Sequence, residues 1–256
     1  MFRSLFRNKK PDTHSVRPPV LPEGMRVYAI GDIHGRDDLF AELLDLIEAD
    51  KAARPGADCA LILLGDLVDR GPSSAAVIDR AIVQRDRWSA FHWLTGNHEE
   101  VFVKALTGDL SALKFFSRIG GEETILSYGI DEANYARMTY EELSVALIAA
   151  VPAAHREFLA AGEELIILGD YVFVHAGVRP GVSLKSQKPA DLRWIREPFL
   201  SAGEDFGGFV VHGHTITSTV DERPNRLGID TGAYASGKLT AAAFEGAERW
   251  YLSTGQ

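Results

Sequence analysis

An α/β fold with a mixed sheet system and a helical insert is predicted by three observations. Through the first half of the chain, apolar runs of strand length alternate with stretches of helical apolar spacing. Residues 109 to 162 then carry helical patterns with little strand signal. After Leu165 short apolar runs return, separated by turn residues. Strand–helix alternation calls for a largely parallel region in the first half. The later strands call for a mixed sheet, or for two packed sheets in one domain.

The elements follow in order. Arg26 to Ile30 is a short apolar run, and Asp37 to Lys51 places Leu39, Phe40, Leu43, Leu44 and Ile47 at helical spacing. Ala60 to Leu64 is apolar throughout, as a strand covered on both faces would be. Ser73 is positioned to cap a helix whose face carries Ala76, Val77, Ile78, Ala81 and Ile82. Ala90 to Leu94 is a third strand, leading into a helix from His98 to about Leu106. Tyr140 to Ala150 and Pro152 to Ala161 are helical. Leu165 to Leu168, Gly169-Asp170 and Tyr171 to Val174 spell a hairpin with a two-residue turn. Further strands are expected at Phe209 to Val211, Leu227 to Ile229, Leu239 to Phe244 and Trp250 to Leu252.

Composition narrows the class of protein. With 256 residues, 46% hydrophobic and 25% charged, the chain is neither disordered nor collagen-like. No stretch approaches the ~20 apolar residues of a membrane span, and no apolar segment follows the basic N-terminal residues as in a secretory signal. Cys59 is the single cysteine and has no partner, so the expected compartment is the cytoplasm. Net charge is −9; residues 1–26 hold six basic and two acidic side chains, +4, which leaves −13 on the remainder. A body that acidic is a poor binder of nucleic acid, whose phosphates dominate such affinities. Residues 1–24 are expected to be a flexible basic tail and 25–256 a single domain. Phe2, Leu5 and Phe6 among Arg3 and Arg7 offer an alternative, one turn of an interfacial anchor, without stable membrane insertion.

Chemistry concentrates at the strand ends. They read Gly31-Asp32-Ile33-His34-Gly35, Gly65-Asp66-Leu67-Val68-Asp69-Arg70-Gly71, Gly96-Asn97-His98-Glu99, His175-Ala176-Gly177 and His212-Gly213-His214. In α/β sheets the ligand crevice lies outside the carboxyl ends of the strands. Carboxylate oxygen and neutral imidazole nitrogen suit manganese, iron or zinc, and no thiolate accompanies them. Asp32 and His34 can face one ion, and Asp66 can bridge two. Asn97, His175 and His214 would complete the second. Two metals ~3.5–4 Å apart clamp the attacking and leaving oxygens of a displacement at phosphorus.

The five motifs, in this order, resemble the phosphoprotein phosphatase family within the calcineurin-like metallophosphoesterases. The resemblance runs from about Arg26 to the C-terminus and implies a four-layer α/β/β/α sandwich. It implies two divalent ions, manganese foremost, one held by Asp32, His34 and Asp66 and the other by Asp66, Asn97, His175 and His214. Asp69 and His98 become the acid–base pair, and Arg70 contacts phosphate together with Asn97. Leu192 to Glu197 resembles the family's Trp-x-Arg segment, which makes Arg196 a second phosphate ligand, with Arg193 as its competitor. Many relatives end in Gly-His-x-His, whereas this chain reads Gly213-His214-Thr215-Ile216. That departure favours the protein-phosphatase branch. The implied reaction is direct attack on phosphorus by a hydroxide held between the ions, on a phosphoserine or phosphothreonine of a protein or peptide. Symmetric dinucleoside polyphosphate hydrolysis is the nearest alternative, though no aromatic cluster for adenine stands out in the sequence. A non-catalytic phosphate-binding module is the alternative of another class. The oligomeric state is unreadable.

Plainer roles compete at each position. Asp32 and Asp66 have the place of helix caps, His175 that of a core histidine, and Asp69 with Arg70 that of a surface turn with a salt bridge. His212 and His214 alternate along a strand, so only one faces the ions, and the motif selects His214. His92 reads as structural, His14 and His155 as surface residues, and Gly120 to Glu123 as a helix boundary.

Overall fold

The computed structural model describes residues 17–255. Ten strands are formed among them: β1 (Met25–Ile30), β2 (Asp58–Leu63), β3 (Ala90–Trp93), β4 (Leu165–Leu168), β5 (Tyr171–Val174), β6 (Phe209–His212), β7 (Asp221–Glu222), β8 (Arg226–Gly228), β9 (Thr240–Glu245) and β10 (Glu248–Ser253). They make two five-stranded sheets, ordered β10-β9-β1-β2-β3 and β4-β5-β6-β8-β7. In the first, β1, β2 and β3 are parallel, β9 pairs antiparallel with β1, and β10 pairs antiparallel with β9. In the second, β5, β6 and β8 are parallel, with β4 and β7 antiparallel on the edges. The hairpin at Gly169-Asp170 forms as the turn residues demand, with Gly169 at φ 60°. Only β7 has no sequence signal, because Asp221 and Glu222 carry no apolar residue.

Alternation along the strands divides the core into layers. Tyr28 and Ile30 of β1 and Leu61 and Leu63 of β2 face a helical layer. That layer holds α1 (Asp37–Ala53), α2 (Ser74–Arg87), α3 (Asn97–Leu106), α4 (Leu110–Phe116), α5 (Glu122–Ser127), α6 (Glu132–Tyr135), α7 (Tyr140–Ala150) and α8 (Ala153–Ala160). Val27, Ala29, Ala60 and Ile62 point the other way and pack between the sheets against Phe173, Val211, Leu227 and Phe244. Val172, Val174 and Val210 cover the far side, against Leu192 of α9 (Pro189–Trp194) and against Ile195, Phe199 and Phe206. Helices, sheet, sheet, helix: this is the α/β/β/α sandwich. The short helix α10 (Ala233–Ser236) follows β8.

Three expectations need correcting. Residues 17–24 do not belong to a flexible tail. Leu21 is buried against the inter-sheet core, its N–H donates to Gly246 O at 2.9 Å, and Val20 O accepts from Asp170 N at 3.0 Å. One apolar side chain with backbone partners on both sides is enough to dock the segment. Residues 1–16, with the anchor reading and His14, lie outside the described residues. Ser73 precedes α2, but its side chain makes no capping bond. His155 is not a surface residue: it is buried on α8, between the Tyr128 hydroxyl at 3.0 Å and Asp79 at 2.9 Å. His92 sits half-buried on β3 and pairs with Glu163 at 2.7 Å, a structural contact as read. Leu21→Ala should lower the melting midpoint by ~4–8 °C, since truncating a buried Leu costs at least ~2 kcal/mol. An unchanged midpoint by calorimetry would return the segment to the tail.

Candidate active site

Because β1, β2, β3, β5 and β6 run parallel within their sheets, their carboxyl ends meet on one rim. β1 delivers Asp32 and His34; β2 delivers Asp66, Asp69 and Arg70. β3 leads to Asn97 and His98, β5 to His175 and β6 to His214. These acids, histidines and Asn97 are buried, Arg70 is half-buried and Arg196 is exposed at the mouth. Six of them, Asp66, Arg70, Asn97, His98, Arg196 and His214, line the polar end of a cavity of about 440 Å³. Its other walls are Ile119, Trp194, Thr215, Ile216 and Tyr234.

The backbone here is strained. His34, Asp66, Asp69, Arg70 and His214 have φ of 46°, 49°, 74°, 67° and 63°, and among the described residues no other non-glycine has positive φ. Each such residue costs on the order of 1–2 kcal/mol and persists only where its surroundings over-determine it. Glu99 is much of that surrounding. Its carboxylate accepts Asp66 N at 2.8 Å, Leu67 N at 2.8 Å, Val68 N at 3.2 Å and Gly96 N at 3.0 Å. It thereby ties the loop after β2 to the first turn of α3. Gly96 makes room for this: a Cβ there would stand 2.2 Å from Asp66 Oδ1. The Glu99 contacts were missed in the sequence, although glutamate three residues into a helix after Gly96 is the signature of a side chain that folds back on its own N-terminus. Glu99→Gln, which gives one oxygen's place to an NH₂ facing N–H groups, should lower the melting midpoint by ~5 °C or more; a midpoint within 1 °C of the parent would show the loop holds itself.

The histidine tautomers are fixed by the backbone. His34 Nδ1 lies 2.8 Å from Val68 O and His175 Nδ1 2.8 Å from Leu64 O. A carbonyl only accepts, so both Nδ1 atoms carry the proton and both Nε2 atoms present lone pairs. Burial keeps these rings neutral: it pulls His34 and His214 down to about 3 and also lowers His175. Those lone pairs face carboxylate oxygens, His34 Nε2 at 3.5 Å from Asp66 Oδ2 and His175 Nε2 at 3.4 Å from Asp66 Oδ1. His214 Nε2 is buried without any partner. Asp32 accepts His214 N–H at 3.0 Å, and burial followed by the neighbouring Asp230 and Asp66 pushes its carboxyl well up. Acceptors facing acceptors in a buried site need cations between them. Ligand atoms of His34, Asp66 and His98, and of Asp66, His175 and His214, each lie within 4.8 Å of one another. The residues fit two divalent ions that share Asp66.

Asp32 and Asp66 therefore do not cap the helices that follow their own strands. Asp66 Oδ1 instead accepts His98 N at 3.1 Å, at the start of α3. Asn97 Oδ1 is 3.1 Å from His175 Nε2. In the first triad His98 stands where the sequence pattern places Asp32, whose carboxylate is turned to the His214 amide. His98 nevertheless differs from the other histidines. Its Nδ1 meets a carboxylate, Asp69 Oδ2, at 2.5 Å, and its Nε2 is 3.9 Å from Asp66. Burial lowers its pKa, but Asp66 and then Asp69 outweigh that and raise it, while burial raises Asp69. Asp69 and Arg70 are thus no surface turn.

The Arg70 guanidinium donates to His34 Nε2 at 2.9 Å and His98 Nε2 at 3.0 Å, and lies 4.9 Å over the Tyr234 ring. Arg193 is drawn away by Glu164 and Glu100, leaving Arg196 on the cavity, 3.4 Å from His214 O. His212 points to the other side, against the Phe199 ring at 5.0 Å and Arg226. Sequence reasoning also missed Asp230, buried at the end of β8 with Oδ2 unpaired, and Tyr234, whose ring packs on His34.

Residues 25–230 match the model of the calcineurin-like phosphoesterase family, and the chain belongs to that family. It is 44% identical over 84 residues to a symmetrical bis(5'-nucleosyl)-tetraphosphatase of Acidovorax sp. (strain JS42), a match covering 33% of this chain and 27% of that relative. It is 27% identical over 227 residues to serine/threonine-protein phosphatase 1 of Salmonella typhimurium, covering 86% of this chain and 92% of that protein. Among solved structures, a putative diadenosine tetraphosphatase superposes with a TM-score of 0.61 at 20% identity, covering 93% and 98% of the two chains. That last likeness is one of fold. Among the described residues no single helix is long and apolar enough to cross a membrane.

Proposed function

We propose that the protein is a dinuclear metal-dependent phosphomonoesterase of the phosphoprotein phosphatase branch, acting on phosphoserine and phosphothreonine in proteins of the cytoplasm. The observation that carries this reading is the pair of acid–histidine triads sharing Asp66, with two arginines on the same cavity. Arg70 and Arg196, helped by the Asn97 amide, hold the phosphate by paired N–H donors that never lose their charge. Two divalent ions, manganese foremost, would neutralise the phosphate oxygens and bring the pKa of an attacking water toward neutrality. His98 protonates the leaving oxygen, and Asp69 keeps the imidazole in tautomer and orientation. The near-full-length relation to a serine/threonine phosphatase supports this substrate class.

A second reading is hydrolysis of symmetrical dinucleoside tetraphosphates. Tyr234 and Trp194 on the cavity wall favour it, since they offer faces to a nucleobase that the sequence had not disclosed. The relation to a tetraphosphatase over 84 residues supports it too. The deciding experiment is turnover by one manganese-loaded preparation on phosphoserine, phosphothreonine and phosphotyrosine peptides and on diadenosine tetraphosphate. Phosphoserine and phosphothreonine peptides should give the highest kcat/KM; a dinucleotide value above theirs would replace the first reading with the second. Chelation should abolish activity and manganese restore it best, with elemental analysis giving two ions per chain. Full turnover by metal-free protein would remove both readings.

A further inference from the structure

Asp69 is held by more than His98. While Oδ2 meets His98 Nδ1, Oδ1 accepts the Thr124 hydroxyl at 2.7 Å. Thr124 lies on α5, in the helical insert, 55 residues further along the chain. Thr124 Oγ1 in turn accepts Asp69 N at 2.8 Å and lies 2.8 Å from Ser74 Oγ, which itself accepts Asp69 N at 3.0 Å. The protons order this network. An ionised Asp69 has none to give, so the single hydroxyl proton of Thr124 goes to Oδ1 and Ser74 must donate to Thr124. Asp69, Ser74 and Thr124 are fully buried, so water does not share these bonds. The same turn grips the next residue. Gly120 O accepts Arg70 N at 2.8 Å, and at Gly120, with φ 108°, a Cβ would stand 2.8 Å from Arg70 Cγ. The stretch read as a helix boundary is one; together with Thr124 just beyond it, it braces two of the three left-handed residues of the loop after β2, Asp69 and Arg70.

We infer that Thr124 is a positioning residue for the reaction: its hydroxyl, oriented by Ser74, turns the Asp69 carboxylate so that Oδ2 faces His98 Nδ1. The inference rests on the assignment of Asp69 and His98 as the acid pair. Without the hydroxyl, Asp69 Oδ1 loses its donor in a dry site, and the carboxylate is free to rotate away from the imidazole. The geometry of a general acid is thereby set from the insert, not from the sheet rim alone.

The test uses the full-length zinc-loaded enzyme, which is diamagnetic, and compares Thr124→Val with Thr124→Ser. Valine keeps the shape and removes the hydroxyl; serine restores it. Thr124→Val should keep two ions per chain but shift or broaden the downfield proton resonance of His98 Nδ1–H. It should also lose about tenfold in turnover of a phosphoserine peptide, and less than about threefold on p-nitrophenyl phosphate, whose leaving group needs little protonation. Thr124→Ser should recover both resonance and rate. In a His98→Asn background Thr124→Val should cost nothing further. An unmoved His98 resonance, equal losses on both esters, or an undiminished loss in the His98→Asn background would each overturn the proposal. Ser74→Ala guards against misfolding of the valine variant: it removes the donor to Thr124 and should move the same resonance by a smaller amount, and no movement there counts against the proposal. A moved resonance combined with a His98→Asn enzyme that shows no leaving-group dependence supports the contact from Thr124 while removing the acid role from His98.

Discussion

Asp66→Asn should strip the enzyme of metal and activity together. Asp66 is the one side chain common to both ligand triads. Its Oδ1 faces His175 Nε2 and its Oδ2 faces His34 Nε2, at 3.4 and 3.5 Å. An asparagine of the same shape supplies one oxygen where two are used, and it turns an NH₂ toward a site built for cations. The lost negative charge matters as much as the lost atom, because burial penalises any cation whose counter-charge is missing. Occupancy should fall from two ions per chain to fewer than one. Turnover should fall by at least ~10³-fold, ~4 kcal/mol of transition-state stabilisation, on alkyl and aryl phosphates alike. Asp32→Asn makes an informative comparison, for Asp32 lies outside both tight triads, its carboxylate on the His214 amide. One ion should remain in that variant. Two ions retained in Asp66→Asn, by elemental analysis of the folded protein, would mean that the triads do not share a bridging ligand.

The candidate site was legible because its residues sit where chain direction and chemistry coincide. Each motif ends a strand, the strands are parallel, and parallel strands bring their ends to one rim whatever the order of the sheet. The helices and most strands were legible for a similar reason, since apolar periodicity reports which face a neighbour covers. What escaped was contact across long separations. Thr124 is an unremarkable residue of a short helix, and nothing near it in sequence points to a carboxylate 55 residues earlier. Tyr234 stands among small residues on the four-residue helix α10, and only the return of β8 to the sheet carries it over Arg70. His155 reads as surface because its helix is short and carries adjacent charges, yet it finds Asp79 of α2 and the Tyr128 hydroxyl just after α5. Leu21 was hidden by its company, a two-residue apolar step with Val20 among prolines and charged side chains. In each case the missing information was the identity of the opposing surface.

His98→Asn should separate acid catalysis from metal binding, the two roles its position allows. His98 falls within the first triad, and a carboxylate on Nδ1 is also how many metal-bound histidines are oriented. Yet its neighbours raise its pKa, whereas burial holds His34 and His214 down to about 3. A ring that readily takes a second proton suits a donor to a departing oxygen; a ring held neutral suits a ligand. As acid, His98→Asn should retain two ions and lose ~10²–10⁴-fold in turnover of a phosphoserine peptide. On p-nitrophenyl phosphate the loss should shrink to a small factor, since that phenolate leaves without help. Asp69→Asn should follow the same leaving-group trend with a smaller loss, because it orients the imidazole without donating the proton. His175→Asn, which removes an Nε2 that faces Asp66, should lower occupancy and slow both esters equally. Turnover against leaving-group pKa, with metal content measured for each variant, distinguishes them. A missing ion in His98→Asn together with equal losses on both esters would make His98 a ligand and leave the departing oxygen to be protonated by another group.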